Sequence, residues 1–71
     1  MNVKEKARLS DPEQFQKRFN QLARKNPEKT YIEIYFMVEN DHIEVHGKTK
    51  YSSYESFRVV RSRYMKGFIN K

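Results

Sequence analysis

Residues 30–50, TYIEIYFMVENDHIEVHGKTK, constrain the fold more than any other stretch, because β-branched and aromatic residues alternate with polar ones around Asn40 and Asp41. Such alternation is typical of half-buried strands, and two short polar residues between the runs indicate a hairpin turn. Pairing outward from this turn places on one face Ile32, Ile34, Phe36, Val38, Ile43 and Val45. The opposite face then carries Tyr31, Glu33, Tyr35, Met37, Glu44, His46, Lys48 and Lys50. A slip of one residue would mix the two sets, so the pattern predicts an antiparallel hairpin in this register.

A first helix is predicted before the hairpin, from Pro12 to near Lys25. Asp11 is a suitable N-cap, Pro12 fits the first helical position, and Pro27 biases the residue before it out of the helical region. The helix has one apolar stripe, made of Phe15, Phe19 and Leu22.

A second helix is predicted after the hairpin, with Ser52 or Ser53 as its N-cap. At about 100° per residue, its apolar arc consists of Tyr54, Phe57, Val60, Tyr64, Met65 and Phe68. Arg61 projects into this arc, where it either pairs with a carboxylate or meets a ligand. Because residues 57–59 also alternate, a third strand within residues 51–60 stays open as the alternative.

These elements predict an α+β fold, a single small domain over residues 10–71 in the order helix, two-stranded antiparallel hairpin, helix. Residues 1–9 show no clear periodicity and are predicted to form a flexible basic arm. The chain has no cysteine, which excludes disulfides and cysteine-bound zinc, so five phenylalanines and five tyrosines must build the core. A two-stranded sheet is marginal alone, and a homodimer that joins two hairpins into a four-stranded sheet is therefore an alternative form. A structural homodimer that buries the tyrosine-bearing sheet face, with Tyr35 at the interface, is a further hypothesis.

The chain contains no apolar run that approaches the roughly 20 residues of a membrane-spanning helix. Residues 1–10 also carry charges where a signal peptide is apolar. We therefore expect a soluble, cytoplasmic protein without a membrane partner.

The positive charge is concentrated toward the C-terminus. Residues 1–47 contain eight Lys/Arg and eight Asp/Glu, whereas residues 48–71 contain seven Lys/Arg and one acid, Glu55, which accounts for the net charge of +6. A local cationic surface indicates phosphate-bearing or acidic partners.

Two surfaces are candidates for binding nucleic acid. The outward face of the hairpin combines aromatic rings with cations, as in proteins that stack bases and follow a phosphate backbone; its residues are Tyr31, Tyr35, Lys48 and Lys50. Two glutamates on the same face oppose this interpretation. The second helix has fewer acids and suits contacts with phosphates through Arg58, Arg61, Arg63 and Lys66.

A metal or catalytic site is a weaker candidate. His42, Glu44 and His46 lie on one side of the predicted strand, where about 3.3 Å per residue separates the two histidines by roughly 13 Å. One ion could not bind both histidines, and either histidine with Glu44 lacks a third ligand. No glycine-rich phosphate loop is present, so the chain is predicted not to be an enzyme and to use no metal or cofactor.

The segment HGKTKYSS leads through a glycine and lysines into the second helix, and in this it resembles the double-stranded-RNA-binding domain. The order of elements also resembles the small Alu-domain subunits of the signal recognition particle. Both families have three strands where this chain has room for two, so the resemblance concerns topology alone. It implies a reduced form of an α-β-β-β-α module that contacts RNA.

The sequence thus predicts a small basic protein that binds RNA or DNA, mainly through phosphates, in a regulatory or architectural role. The alternative is a protein-interaction module, such as a phage or plasmid type inhibitor or adaptor. Such a module would engage an acidic protein partner through the same basic surface.

Overall fold

The computed structural model describes the backbone of residues 2–69 and the side chains of residues 2–66. Within this range the chain forms a compact helical domain with four α-helices and a short 3-10 turn. These elements are α1 (Val3–Ala7), the 3-10 turn (Arg8–Ser10), α2 (Pro12–Lys25), α3 (Tyr31–His46) and α4 (Tyr54–Ile69). Helix α3 packs against both α1 and α2, and α4 packs against α2.

The predicted α+β fold is wrong, because the residues assigned to the hairpin form the single helix α3. Thr30 and Glu33 form a capping box at its start: the Thr30 hydroxyl accepts a hydrogen bond from the Glu33 amide, at 3.4 Å, and the Glu33 carboxylate accepts one from the Thr30 amide, at 3.0 Å. Gly47 ends the helix in the left-handed conformation, at φ 76°, which glycine adopts without steric cost. Asn40 and Asp41, the predicted turn, lie inside the helix.

Burial along α3 follows the helical period. The buried residues are Ile34, Tyr35, Val38, Glu39 and His42. Ile32, Phe36 and Ile43, which the hairpin would have buried, are 44%, 53% and 40% exposed. Residues four positions apart, such as Ile34 and Val38, share a face in a helix as well as in a strand, so their burial does not distinguish the two structures.

The loss of the strands removes two other expectations. No strand is formed by residues 2–69, so the topological resemblance to α-β-β-β-α RNA-binding modules does not hold. There is also no sheet for a homodimer to complete, and Tyr35, the expected interface residue, is 2% exposed. Self-association of the protein stays a prediction, but it cannot occur by the joining of two hairpins.

The two helices predicted around the hairpin are confirmed. The Asp11 carboxylate accepts a hydrogen bond from the Glu13 amide, at 2.9 Å, Pro12 occupies the first helical position, and α2 ends at Lys25. The Ser53 hydroxyl accepts a hydrogen bond from the Ser56 amide, at 3.2 Å, in the first turn of α4. The third strand considered within residues 51–60 is therefore wrong, while the Phe68 side chain lies outside the described residues.

The N-terminal segment of residues 2–10 contributes to the core. Leu9, in the 3-10 turn, is 1% exposed, and the Lys6 side chain forms an ion pair with Glu44 of α3. Formation of this pair raises the pKa of Lys6 above its ordinary value. The predicted flexibility of residues 1–9 stays a prediction.

Aromatic rings form the centre of the core, as the composition predicted. Phe57 of α4 lies among rings from the other helices, with centroid distances of 4.9 Å to Tyr35, 5.0 Å to Phe19 and 5.5 Å to Phe15. Large rings bury the most area per residue and so suit a core in so short a chain.

The loop between α3 and α4 is held by a buried carboxylate. Glu39, 1% exposed, accepts hydrogen bonds from the Tyr35 hydroxyl at 2.6 Å, the Lys50 amide at 2.8 Å and the Tyr51 amide at 3.1 Å. His42 adds a third hydrogen bond between α3 and the loop, in which Nδ1 donates to the Lys48 carbonyl at 2.6 Å. Burial, reinforced by the bond to Glu39, raises the pKa of the Tyr35 hydroxyl well above its usual range.

We expect Glu39→Gln to lower the free energy of unfolding by about 2–3 kcal/mol, because the amide offers one acceptor oxygen to a site that holds three donors. Urea unfolding followed by circular dichroism measures this loss. Glu55→Gln is the matched control, since that exposed carboxylate pairs with Arg58 at the surface and should contribute less than about 1 kcal/mol. Equal urea midpoints for the two variants would contradict the assigned role of Glu39.

We also expect the capping box to make the stability of α3 depend on pH. Hydrogen bonds from the Thr30 amide and hydroxyl lower the pKa of Glu33 below its ordinary 4.5, so the ionised carboxylate is favoured in the folded state. Its contribution is present above pH 4.5 and is lost as the pH falls through the lowered folded-state value.

Thr30→Ala should therefore cost about 1 kcal/mol at neutral pH, a typical N-cap contribution, and less in acid, where Glu33 is protonated. Urea midpoints at neutral pH and below the Glu33 pKa measure the difference, and Thr30→Ser, which keeps the hydroxyl, serves as the control. An equal cost of Thr30→Ala at both pH values would show that Glu33 does not carry the effect.

Candidate anion-binding groove

The eight residues predicted to contact nucleic acid do not share one surface. Tyr35 is buried in the core, and the outward sheet face to which it was assigned does not exist. Tyr31 and Arg61 instead meet in a groove between α2, α3 and α4. The structure thus brings together one residue from each of the two predicted surfaces.

The predicted lysines of the hairpin lie in the loop between α3 and α4. The Lys50 ammonium group donates a hydrogen bond to the Ser10 carbonyl and lies 5.5 Å from the centroid of the Tyr51 ring. Lys48 is exposed, and its carbonyl accepts the hydrogen bond from His42. Lys50 thus has an internal role, whereas the Lys48 ammonium group is accessible to a ligand.

The remaining predicted cations lie on the exposed side of α4. Arg58 forms an ion pair with Glu55, at 3.0 Å. Arg63 and Lys66 are exposed and form no ion pair within residues 2–66. At about 100° per residue, these two side chains point away from the side of the helix that carries Arg61, so α4 has two separate cationic surfaces.

The groove has a volume of about 540 Å³ and is formed by three helices and one loop. Its lining residues are Asn20, Ala23 and Arg24 of α2, Pro27 and Lys29 of the following loop, Tyr31 of α3, and Arg61 and Met65 of α4. Three of these side chains are cationic, and none of the described side chains that line the groove is a carboxylate. The lining therefore favours an anion.

Arg61 is held in the groove wall by an aromatic ring and an amide. Its Cζ lies 4.4 Å from the Phe19 ring centroid and 5.9 Å from that of Tyr31, and Nη1 donates to Gln16 Oε1 at 3.0 Å. A guanidinium group has five N–H donors, so most of them remain for a ligand. Partial burial lowers the pKa of Arg61, and no carboxylate pairs with it within the described chain. An anion in the groove would supply the missing opposite charge.

Tyr31 presents an aromatic surface beside Arg61. Its side chain is 59% exposed, and its ring meets Phe19 edge-on, with centroids 5.6 Å apart and an interplanar angle of 73°. Tyr31 is the first residue of α3, so the capping box fixes the backbone that carries it. The ring is thus oriented by the fold and still open to solvent.

Sequence reasoning missed Arg24 and Lys29. Arg24 lies in the last turn of α2, where a cation also complements the helix dipole. Both side chains are exposed and form no ion pair within residues 2–66. The sequence signal for these residues was the group of cations that precedes Tyr31. That group forms a site only together with Arg61, which is distant in sequence.

The separation predicted for the two histidines is wrong, because it assumed a strand. On α3 the rings of His42 and His46 lie with their centroids 4.4 Å apart. His46 Nε2 donates to the Ala7 carbonyl, at 3.2 Å, and His42 Nδ1 donates to the loop, so each ring has a structural hydrogen bond. The described residues contain no group of three or more His, Cys, Asp or Glu side chains that could hold a metal ion.

No protein-family model matches the chain, and comparisons with curated proteins and with solved structures find no similar protein. Among the described residues, no helix has both the length and the apolar character needed to cross a membrane.

Proposed function

We propose that this protein binds RNA or DNA, mainly through phosphate groups, in a regulatory or architectural role. The observation that carries the proposal is the groove with three cationic side chains, Arg24, Lys29 and Arg61, and no carboxylate among its described lining residues. Phosphates bind where lysine and arginine can neutralise them without competition from nearby acids.

Arg61 is the anchor of the proposed site. Its guanidinium lies against Phe19 and keeps one hydrogen bond to Gln16, so little side-chain freedom remains to be lost on binding. A planar guanidinium can donate two parallel hydrogen bonds to one phosphate. Arg24 and Lys29, which are exposed at the rim, neutralise the neighbouring phosphates.

The other basic residues contribute to attraction over a longer range. Arg63 and Lys66 are exposed on the outer side of α4, and Lys48 is exposed in the preceding loop. Their charges raise the local concentration of a polyanion and speed its association without entering the groove. We therefore expect removal of these charges to weaken binding less than removal of the groove cations.

Arg24→Ala, Lys29→Ala and Arg61→Ala should each weaken binding to a similar degree across different nucleic-acid sequences. Each lost phosphate contact should reduce the slope of log affinity against log salt by about 0.7–0.9. Fluorescence anisotropy with labelled single-stranded DNA, duplex DNA and structured RNA over a range of salt concentrations measures both effects. Lys17→Ala removes the same charge from α2 at a position outside the groove lining, where Lys17 pairs with Glu13, and should change the affinity least.

Absence of salt-sensitive binding to all three nucleic acids would contradict the proposal. The cationic groove would then be assigned to an acidic protein, as in an inhibitor or adaptor. That assignment would require a partner that is captured after nuclease treatment and is lost with Arg61→Ala but retained with Lys17→Ala.

A further inference from the structure

We infer that the groove recognises single-stranded nucleic acid, with an unpaired base stacked on the Tyr31 ring and the adjoining phosphate held by Arg61. This inference rests on the proposed nucleic-acid function and narrows its ligand class. It is carried by the position of one exposed aromatic ring beside one partly buried cation.

Tyr31 has the properties of a stacking platform. Its ring is 59% exposed, yet the edge contact with Phe19 and its place at the first position of α3 restrict its motion. Every nucleobase has an aromatic face that can stack on such a ring, regardless of sequence.

Arg61 and Tyr31 border the same space. The Arg61 Cζ lies over the Tyr31 ring, 5.9 Å from its centroid, so a base stacks on the ring surface that the guanidinium leaves exposed. A base and its own phosphate are also close neighbours, so one nucleotide can reach both groups. Arg24 and Lys29, on the other walls of the groove, can neutralise the phosphates before and after it.

The exposed ring of Tyr31 favours an unpaired base over a duplex. A volume of about 540 Å³ lies within the range of pockets that enclose small ligands. In a duplex the base faces are stacked on each other and only the backbone and base edges are accessible, so Tyr31 would have no face to meet. Asn20 and Met65 complete the lining with an amide that both donates and accepts hydrogen bonds and a polarisable thioether.

The test compares three probes at one salt concentration by fluorescence anisotropy. They are a labelled single strand of about 12 nucleotides, within the range that single-strand binders cover, the matching duplex, and the same single strand with abasic sites. The abasic strand keeps every phosphate and lacks bases, so it isolates stacking in the wild-type protein without relying on a variant.

Wild-type protein should bind the ordinary strand about 5- to 150-fold more tightly than the abasic strand, the range that corresponds to stacking of one base. Tyr31→Ala should lower the affinity for the ordinary strand by that factor and leave the affinity for the abasic strand nearly unchanged. Tyr31→Phe, which keeps the aromatic ring, should retain the preference for the ordinary strand. Phe36→Ala is the matched control, because Phe36 is an aromatic residue of the same helix, 53% exposed, that does not line the groove.

Two results would overturn the inference, and they are distinguishable. Equal affinity of the wild type for all three probes, with loss of binding in Arg61→Ala and none in Tyr31→Ala, would reject base stacking but retain the phosphate site. Failure of all three probes to bind at low salt would reject the phosphate site together with the stacking that depends on it.

Discussion

The buried carboxylate of Glu39 is the constraint on which the rest of the structure depends. Its hydrogen bonds to the amides of Lys50 and Tyr51 fix the loop that follows α3, and without them two inward-facing amides would lack partners. Tyr51 in turn contacts Phe15 and Phe57, with ring centroids 5.2 Å and 5.7 Å apart. The Glu39 carboxylate therefore positions the loop that leads into α4, and through Tyr51 it helps to orient Phe57 of α4 towards the core.

Local signals in the sequence identified α2 and α4, whereas those of α3 were misinterpreted. Caps and prolines act within a few residues, so Asp11 and Pro12 could be interpreted without knowledge of the tertiary structure. For α3 the apolar spacing fitted two periods, since residues four apart share a face in both a strand and a helix. The end signals were decisive: Thr30 and Glu33 form a capping box, and Gly47 suits the left-handed position that closes a helix.

The candidate site was only partly predictable, because a cation in sequence does not reveal its partners. Arg61 was recognised as unusual from its position on the apolar arc of α4, and the structure shows it stacked on Phe19. Lys50 was assigned to a ligand but donates to the Ser10 carbonyl, whereas Arg24 was not assigned to a ligand but lines the groove. Which charges are satisfied internally depends on contacts between distant segments, and these require the fold.

Phe19 belongs to both the core and the candidate site, and this has a consequence for how the protein can evolve. The ring is fully buried and packs on Phe57, while Arg61 lies over it and Tyr31 packs against it in a T-shaped contact. Replacement of Phe19 by a smaller residue would change the contacts that position Arg61 and Tyr31, and it would also leave a cavity in a small core. Ligand preference can therefore change most readily at the exposed rim, where substitution of Arg24 or Lys29 opens no cavity in the core.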